Sequence, residues 1–210
     1  MRDISSAGPD STRLSLDLAL TVRHDGTGGV ADDLLAPDGL TAWVRAHADA
    51  LPLDAGFTGD EETLRRVREV RAAVRALFAR AVRPGEPSPA DARRLLPVPE
   101  ALSRLNAAAA LVPAVPVLHW PEVDAAPTVR EAATADASAP DLLAAALARA
   151  ALAFLTGADR DRLRACHAPR CVRYFLKEHP RQEWCKPSCG NRARVARHHE
   201  RHNSLARNAT

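Results

Sequence analysis

Apolar and polar residues alternate near the start of the chain, and this pattern predicts a strand. Every second position from residue 14 to residue 22 is apolar: Leu14, Leu16, Leu18, Leu20 and Val22. A period of two places these side chains on one face of an extended backbone. We therefore predict a half-buried strand over 14–22, although leucine and alanine are also compatible with a helix.

Apolar residues three and four positions apart dominate the rest of the first 157 residues, and this period is helical. A long amphipathic helix is predicted after Thr58-Gly-Asp-Glu61, which has the form of a capping box, and it should end before Pro84. Shorter helices are predicted after Asp38, from Ser88-Pro89, over 99–111, and over 140–155 before Gly157.

Two runs rich in valine and proline, 115–120 and 123–129, predict short strands in this otherwise helical portion. Residues 12–157 are enough to bury a core, so we expect them to form one domain. The expected fold class is α+β, with a mostly helical N-terminal domain, a small sheet, and a separate C-terminal unit.

Charge divides the chain into an acidic body and a basic C-terminal segment. Residues 160–207 contain 13 lysines and arginines against 4 aspartates and glutamates, a formal charge of +9. The whole chain carries +3, which leaves −6 for the remainder. Such a concentration of positive charge favours contact with nucleic acid. A solvated helix that docks on the acidic body is the alternative explanation.

All four cysteines lie in this basic segment, with a spacing that suits a metal. They form a C-x4-C pair and a C-x3-C pair separated by thirteen residues: Cys166, Cys171, Cys185 and Cys189. Each short pair can span one edge of a tetrahedron, and the insert brings the two pairs together. Zn²⁺ is bound by thiolates in this way, so we predict one structural zinc.

Two disulfides, or a catalytic zinc, are the alternatives. Disulfides suit secreted proteins, but residues 1–11 are polar and lack the apolar region of a signal peptide. No run of about eighteen uninterrupted apolar residues predicts a membrane span, so we expect a cytoplasmic protein. A catalytic zinc keeps one position open to water, whereas four cysteines fill the shell. His167 and His179 lie nearby and could replace a cysteine.

The rest of the segment predicts a turn, a hairpin and a helix around the metal. Residues 172–176 are β-rich and 181–184 can return beside them, while a helix should run from Ser188 or Cys189 to about Leu205. The metal should supply much of the folding energy of so small a unit. We therefore expect metal loss to unfold this unit and to leave the body folded.

The run Cys189-Gly190-Asn191-Arg192, together with the four cysteines, the aromatic residues and the basic tail, resembles the CGNR zinc finger. The resemblance covers about 40 residues and implies a treble-clef-like unit with four cysteine ligands, which we place at 160–207. Gly190 and Asn191 should shape the helix entry, because a residue without a side chain lets the backbone approach the metal.

Residues 12–157 are more loosely similar to the ABATE domain, which precedes this finger in bacterial proteins described as stress-induced transcription regulators. The similarity rests on Asp33-Leu34-Leu35 followed by Leu40 and Trp43. The family commonly carries an Asn-Thr pair in its first element, where this chain has Leu20-Thr21. The resemblance implies that the body is a regulatory or sensor domain.

Arginines recur along the predicted terminal helix at a spacing that places them on one face. Arg194, Arg197 and Arg201 follow the i, i+3, i+7 pattern, and Arg192 lies beside them. The planar guanidinium can bind two phosphate oxygens at once, so these four residues are the predicted nucleic-acid contacts.

The expected function is transcription regulation, in which the finger binds DNA and the body senses a small-molecule effector or forms a homodimer. One alternative is a zinc-stabilised adaptor that binds protein or RNA. Another is an enzyme whose site lies in the body, with a purely structural zinc. No pattern of nucleophile and base stands out, so we name no catalytic residue and expect a protein that is not an enzyme.

Overall fold

The computed structural model describes residues 9–25, 29–91, 95–120, 126–134 and 136–208, without the side chains of 9–12 and 202–208. Its six α-helices are α1 (Pro9–Leu20), α2 (Pro37–Ala46), α3 (Glu61–Ala81), α4 (Val98–Ala110), α5 (Ala139–Thr156) and α6 (Pro187–Asn208). Its strands are β1 (Val22–His24), β2 (Val30–Asp32), β3 (Ala114–His119), β4 (Thr128–Ala133), β5 (Leu163–Ala165) and β6 (Tyr174–Leu176). The strands form three antiparallel pairs, β1–β2, β3–β4 and β5–β6. The expected α+β class is therefore confirmed.

The first element is a helix, so the strand predicted over 14–22 is wrong. Helix α1 buries Leu14, Ser15 and Leu18, which lie one turn apart, and also Leu16 and Ala19. It packs against α3, α5 and β6. Because even the small residues between the leucines are buried, the helical period does not show in the sequence. The strong helix propensity of leucine and alanine decides the structure.

Helices α3 and α5 form the centre of the body. The apolar face of α3 includes Val67, Val74 and Phe78, and the Phe78 ring packs against Phe154 of α5 with centroids 4.9 Å apart. Helix α5 also packs against α1 and α4. By length and composition α5 could cross a membrane, but 56% of it is buried inside the protein, as expected for a core helix.

Two predicted helix starts differ from those in the structure: the start of α3 and the helix predicted from Ser88-Pro89. The N-cap of α3 is Asp60, whose carboxylate accepts from the backbone N–H of Thr63 at 2.7 Å, and Thr58 lies outside the helix. Residues 89–91 form a turn where a helix was predicted from Ser88-Pro89. Helices α2, α4 and α5 lie close to their predicted positions, and Gly157 is the C-cap of α5.

The two strands predicted in the proline-rich region pair with each other. Strand β3 agrees with the prediction, whereas β4 begins at Thr128 and thus overlaps only the end of the predicted run 123–129. Residues 123–125 of that run lie outside the described residues. The hairpin packs through its base, where Val112 and Ala133 contact Leu142 and Ala145.

The hairpin β5–β6 joins the C-terminal segment to the body. Its strands pair Leu163 with Leu176 and Ala165 with Tyr174. The strand predicted over 172–176 is confirmed, but its partner is β5 and not the predicted return over 181–184. Leu163, Ala165 and Tyr174 belong to the same buried apolar cluster as α1, α3 and α5. The apolar core therefore continues from the helical body into the cysteine-bearing segment.

Candidate metal centre and basic helix

The four cysteines converge on one point. Their sulfur atoms all lie within 4.8 Å of one another, with Cys171 Sγ and Cys185 Sγ 3.7 Å apart and Cys185 Sγ and Cys189 Sγ 3.5 Å apart. A zinc ion with Zn–S bonds of about 2.3 Å holds tetrahedral sulfurs about 3.8 Å apart. All four cysteines are free thiols, so the disulfide alternative is excluded in this structure.

Local structure positions each pair of sulfurs. The first pair flanks the turn between β5 and β6, where Cys166 N–H donates to the Arg173 carbonyl and Cys171 N–H to the Ala168 carbonyl, both at 2.9 Å. Arg170 adopts φ 63° within this turn. Cys189 lies in the first turn of α6, and Cys185 lies just before that helix. The exposed His167 and His179 are not members of the cluster.

Without a cation, the cluster cannot carry four thiolates. Hydrogen bonds from Cys171 and Cys185, reinforced by backbone N–H groups, lower the pKa of Cys166. The same hydrogen-bonded thiolate raises the pKa of Cys171 and of Cys185, because a second negative charge beside it is unfavourable. Zn²⁺ supplies the charge that lets all four sulfurs ionise. The donor set and its spacing fit one structural zinc.

Arg192 reaches back to the sulfur cluster. Its guanidinium donates to Cys189 Sγ at 3.0 Å, and this contact raises the pKa of Arg192. Four thiolates around Zn²⁺ have a net charge of −2, so a cation beside them is favourable. The predicted phosphate contact of Arg192 stays a prediction, and this arginine differs from the others in already having an anionic partner.

A glycine is needed at position 190 because the Trp184 ring lies against it, and not because the backbone approaches the metal there. A side-chain carbon added at Gly190 would lie 3.0 Å from Cδ1 and 3.6 Å from Nε1 of Trp184. The indole therefore packs directly on the helix entry, next to Cys185. Asn191 is exposed there, and its side-chain oxygen accepts from Arg194 at 2.6 Å.

Three aromatic residues of the segment have different surroundings. Phe175 and Trp184 pack beside the cysteines in a small cluster of their own. Tyr174 faces the opposite side of β6 and is 1% exposed, with its ring 5.6 Å from the Phe78 ring. Its hydroxyl donates to Asp91 Oδ2 at 2.6 Å. Tyr174 and Phe175 are both buried, so neither can stack on a nucleic-acid base.

Arg194, Arg197 and Arg201 lie exposed along α6. Arg197 donates to the Ala193 carbonyl at 3.4 Å and Arg201 to the Arg197 carbonyl at 3.3 Å, so the side chains lie along the helix axis. Ala193, one turn before Arg197, is buried. We call Arg194, Arg197 and Arg201 the arginine face.

Comparison with known families agrees with this geometry. The ABATE model, described as "Putative stress-induced transcription regulator", matches residues 12–158. The chain belongs to the ABATE family. The CGNR zinc finger model matches residues 162–202, which contain all four cysteines and the arginine face. A search of the curated proteins found no match.

The ABATE body and the CGNR finger are joined by hydrogen bonds that were not predicted from the sequence. Asp91 and Ser88 of the body bond to Tyr174 and Val172 of the CGNR finger, across more than eighty positions of sequence. No spacing pattern links residues so far apart. The only hint in the sequence is a tyrosine beside a phenylalanine, since neighbouring strand residues face opposite sides.

Proposed function

We propose that this protein is a cytoplasmic transcription regulator, not an enzyme, that binds DNA through α6. The observation that carries the proposal is the exposed arginine face on a helix anchored by the cysteine cluster. An α-helix fits the major groove of B-DNA, and arginines along it can contact phosphates or guanine edges. Membership of the ABATE family supports a regulatory role.

The body is proposed to sense a small-molecule effector and to form a homodimer. A single helix provides little contact area for a specific site, and a two-fold dimer supplies a second half-site. Analytical ultracentrifugation of the protein with and without duplex DNA tests this point. A monomer bound to one duplex would contradict the dimer and leave DNA binding intact.

Salt-dependent binding to duplex DNA tests the main proposal. Neutralising the arginine face with Arg194→Gln, Arg197→Gln and Arg201→Gln removes three positive charges. If each contacts a phosphate, the slope of log K against log salt falls by about 2.7. The matched control is Arg45→Gln, Arg80→Gln and Arg104→Gln, which removes the same charge from exposed positions of the body.

The two triple variants should differ clearly. Fluorescence anisotropy is expected to show a weaker affinity and a shallower salt slope only for the arginine-face variant. Equal losses in both variants would mean that net charge alone drives binding. Tighter binding to single-stranded RNA than to duplex DNA would favour the adaptor alternative. Zinc content, measured on the same samples, verifies that the finger remains assembled.

A further inference from the structure

A cavity of about 870 Å³ lies in the body, between the β1–β2 hairpin, α3 and the turn at 89–91. Its volume is within the range of small-molecule sites. Arg68, Arg71 and Arg75, spaced along one face of α3, line the cavity together with Asp32 and Asp91. The family comparisons assign no role to these residues.

Buried charges in the cavity wall are fixed in orientation. Arg71 is 8% exposed and binds Asp32 through both guanidinium nitrogens at 2.5 and 2.6 Å. Arg75 is 5% exposed and donates to Asp91 at 2.7 Å and to the Ala19 carbonyl at 2.5 Å. Arg68 also lines the cavity and is held by its bond to the Leu34 carbonyl at 2.8 Å. The positive charge that the two aspartates leave unbalanced is therefore fixed in place before a ligand binds.

The composition of the wall indicates the class of ligand. Three arginines and two aspartates give the site a formal charge of +1. One negative charge on a ligand would neutralise it. Apolar side chains complete the wall: Val22, Val30, Pro89 and Leu95. A small organic anion, with one carboxylate or phosphate group on an apolar body, matches both features.

One wall of the cavity is bonded directly to the zinc finger. Asp91 accepts from the Tyr174 hydroxyl at 2.6 Å, and Ser88 Oγ donates to the Val172 carbonyl at 2.8 Å. Val172 directly follows the zinc ligand Cys171, and the guanidinium carbon of Arg75 lies 5.3 Å from the centre of the Tyr174 ring. The turn beside the cavity and the metal site are therefore connected through the segment 172–174.

We propose that the cavity binds a small organic anion, and that its occupancy is transmitted to the zinc finger through Asp91 and Tyr174. This inference rests on the proposed regulatory function and identifies its sensing site. A ligand whose anionic group pairs with Arg68 and whose apolar body packs on Pro89 holds the turn at 89–91 against α3. Opening of β6 away from the body then becomes rarer, and zinc is released more slowly.

Thermal melting of the zinc-loaded full-length protein tests the site. Benzoate is the probe, benzamide is its neutral counterpart, and inorganic phosphate supplies charge without an apolar body. Benzoate is expected to raise the melting temperature more than either control. An equal shift with benzamide, or a larger shift with phosphate, would overturn the assignment of an organic anion.

A negative charge introduced at the opening of the cavity tests whether benzoate binds there. Val30 lines the cavity and is 49% exposed, so Val30→Glu puts a carboxylate there without disturbing the core. Leu102→Glu is the matched control, because Leu102 of α4 is 46% exposed and is not part of the wall. Benzoate should stabilise the control variant and not Val30→Glu. Equal stabilisation of both would overturn the site.

Zinc release to a colorimetric chelator tests the transmission. Benzoate should slow release from the unmodified protein by about fivefold, a typical coupling between two sites. Tyr174→Phe keeps the ring and removes the bond to Asp91, so benzoate should still raise its melting temperature but slow release by less than about twofold. An unchanged effect of benzoate in this variant would overturn the proposed route. These assays contain no DNA, so failure of DNA binding would not affect them.

Discussion

Arg192 illustrates how one residue of a sequence motif can serve the metal rather than a partner. It is the last residue of the CGNR run and donates to Cys189 Sγ, whereas Arg194 lies exposed two positions later. Residues around a metal that bond to its ligands often change metal affinity by about 10- to 100-fold when they are replaced.

Replacing Arg192 with Gln should therefore weaken zinc binding by about tenfold, because Cys189 loses its cationic partner. Competition with a chelator of known affinity measures the change. Arg194→Gln removes the same charge away from the sulfurs and should bind zinc like the unmodified protein. Equal zinc affinity in the two variants would show that Arg192 does not support the metal site.

His47 provides a pH-dependent contact between α1 and α2. Its Nε2 lies 3.5 Å from Asp17 Oδ2, and its Nδ1 lies 2.8 Å from the Trp43 carbonyl oxygen. The hydrogen bond to Asp17 is the main reason that the pKa of His47 is raised in the folded protein. This contribution to stability is fully present below the unfolded pKa, about 6.5, and is lost as pH rises through the folded value.

Stability should accordingly fall between about pH 6 and pH 8 more steeply in the unmodified protein than in Asp17→Asn, in which the anionic partner is removed. The difference should stay below about 1 kcal/mol, because the Asp17 side chain is 43% exposed. Urea unfolding at several pH values measures it. Parallel pH profiles for the two proteins would contradict the role assigned to His47.

At the scale of elements, the predictable helices are those with a distinct apolar face or a distinct stop signal. Helices α3, α4 and α5 are close to their predicted positions because each alternates an apolar face with a polar one or ends at a clear stop. Helix α1 was predicted as a strand because Ser15 and Asp17 separate its leucines with a period of two, although Ser15 is buried in the helix. The sequence also cannot show that β6 pairs with β5, since pairing depends on the turn that the cysteines close.

The site was easier to predict than its surroundings. Four closely spaced cysteines predict a metal site directly from the sequence. The spacing of the arginines places them on one side of any helix. The role of Gly190 depends on the Trp184 ring, which the sequence does not place. The buried bonds of Arg75 and Tyr174 to Asp91 join three elements and have no local signal.

Helix α3 holds the body together through its buried arginines. Arg75 pairs with Asp91, whose side chain is 7% exposed, so removing the arginine leaves a buried carboxylate without its cation. Arg75→Leu should lower the free energy of unfolding by about 3 kcal/mol. Arg80→Leu, at an exposed position on the same helix, should change it by less than about 0.5 kcal/mol. Urea denaturation compares the two, and similar losses would contradict the importance of the buried pair.

At the scale of the whole molecule, the finger and the body share one core. Cys166 directly follows β5, and Cys171 lies three residues before β6, so both cysteines are at the same end of the hairpin. The inner side chains of the two strands pack among the helices of the body. Leu163 and Tyr174 are at most 1% exposed. The structure gives the finger two attachments, the metal on one side of β6 and the body on the other. We therefore expect the finger and the body to unfold together and not as two independent units.

Removal of zinc should therefore destabilise the helical body, in contrast to the separate stability expected from the sequence. Without metal the turn between Cys166 and Cys171 loses its closure, and β5 and β6 are free to leave the core. Exposing Leu163 and Tyr174 alone would cost roughly 3–6 kcal/mol, from about 1.5–3 kcal/mol for each large side chain. Chelation, or Cys185→Ser, should thus lower the melting temperature of the whole chain.

Circular dichroism follows the helices of the body, while tryptophan fluorescence includes Trp184 beside the cysteines. With zinc bound, the two signals should change in a single transition, because one core connects their sources. The control is Cys185→Ser with and without chelator, which should give the same low melting temperature in both conditions. A helical transition that stays at the same temperature after zinc removal would contradict the shared core. It would also break the proposed route from the cavity to the finger, since that route needs Tyr174 to hold both units together.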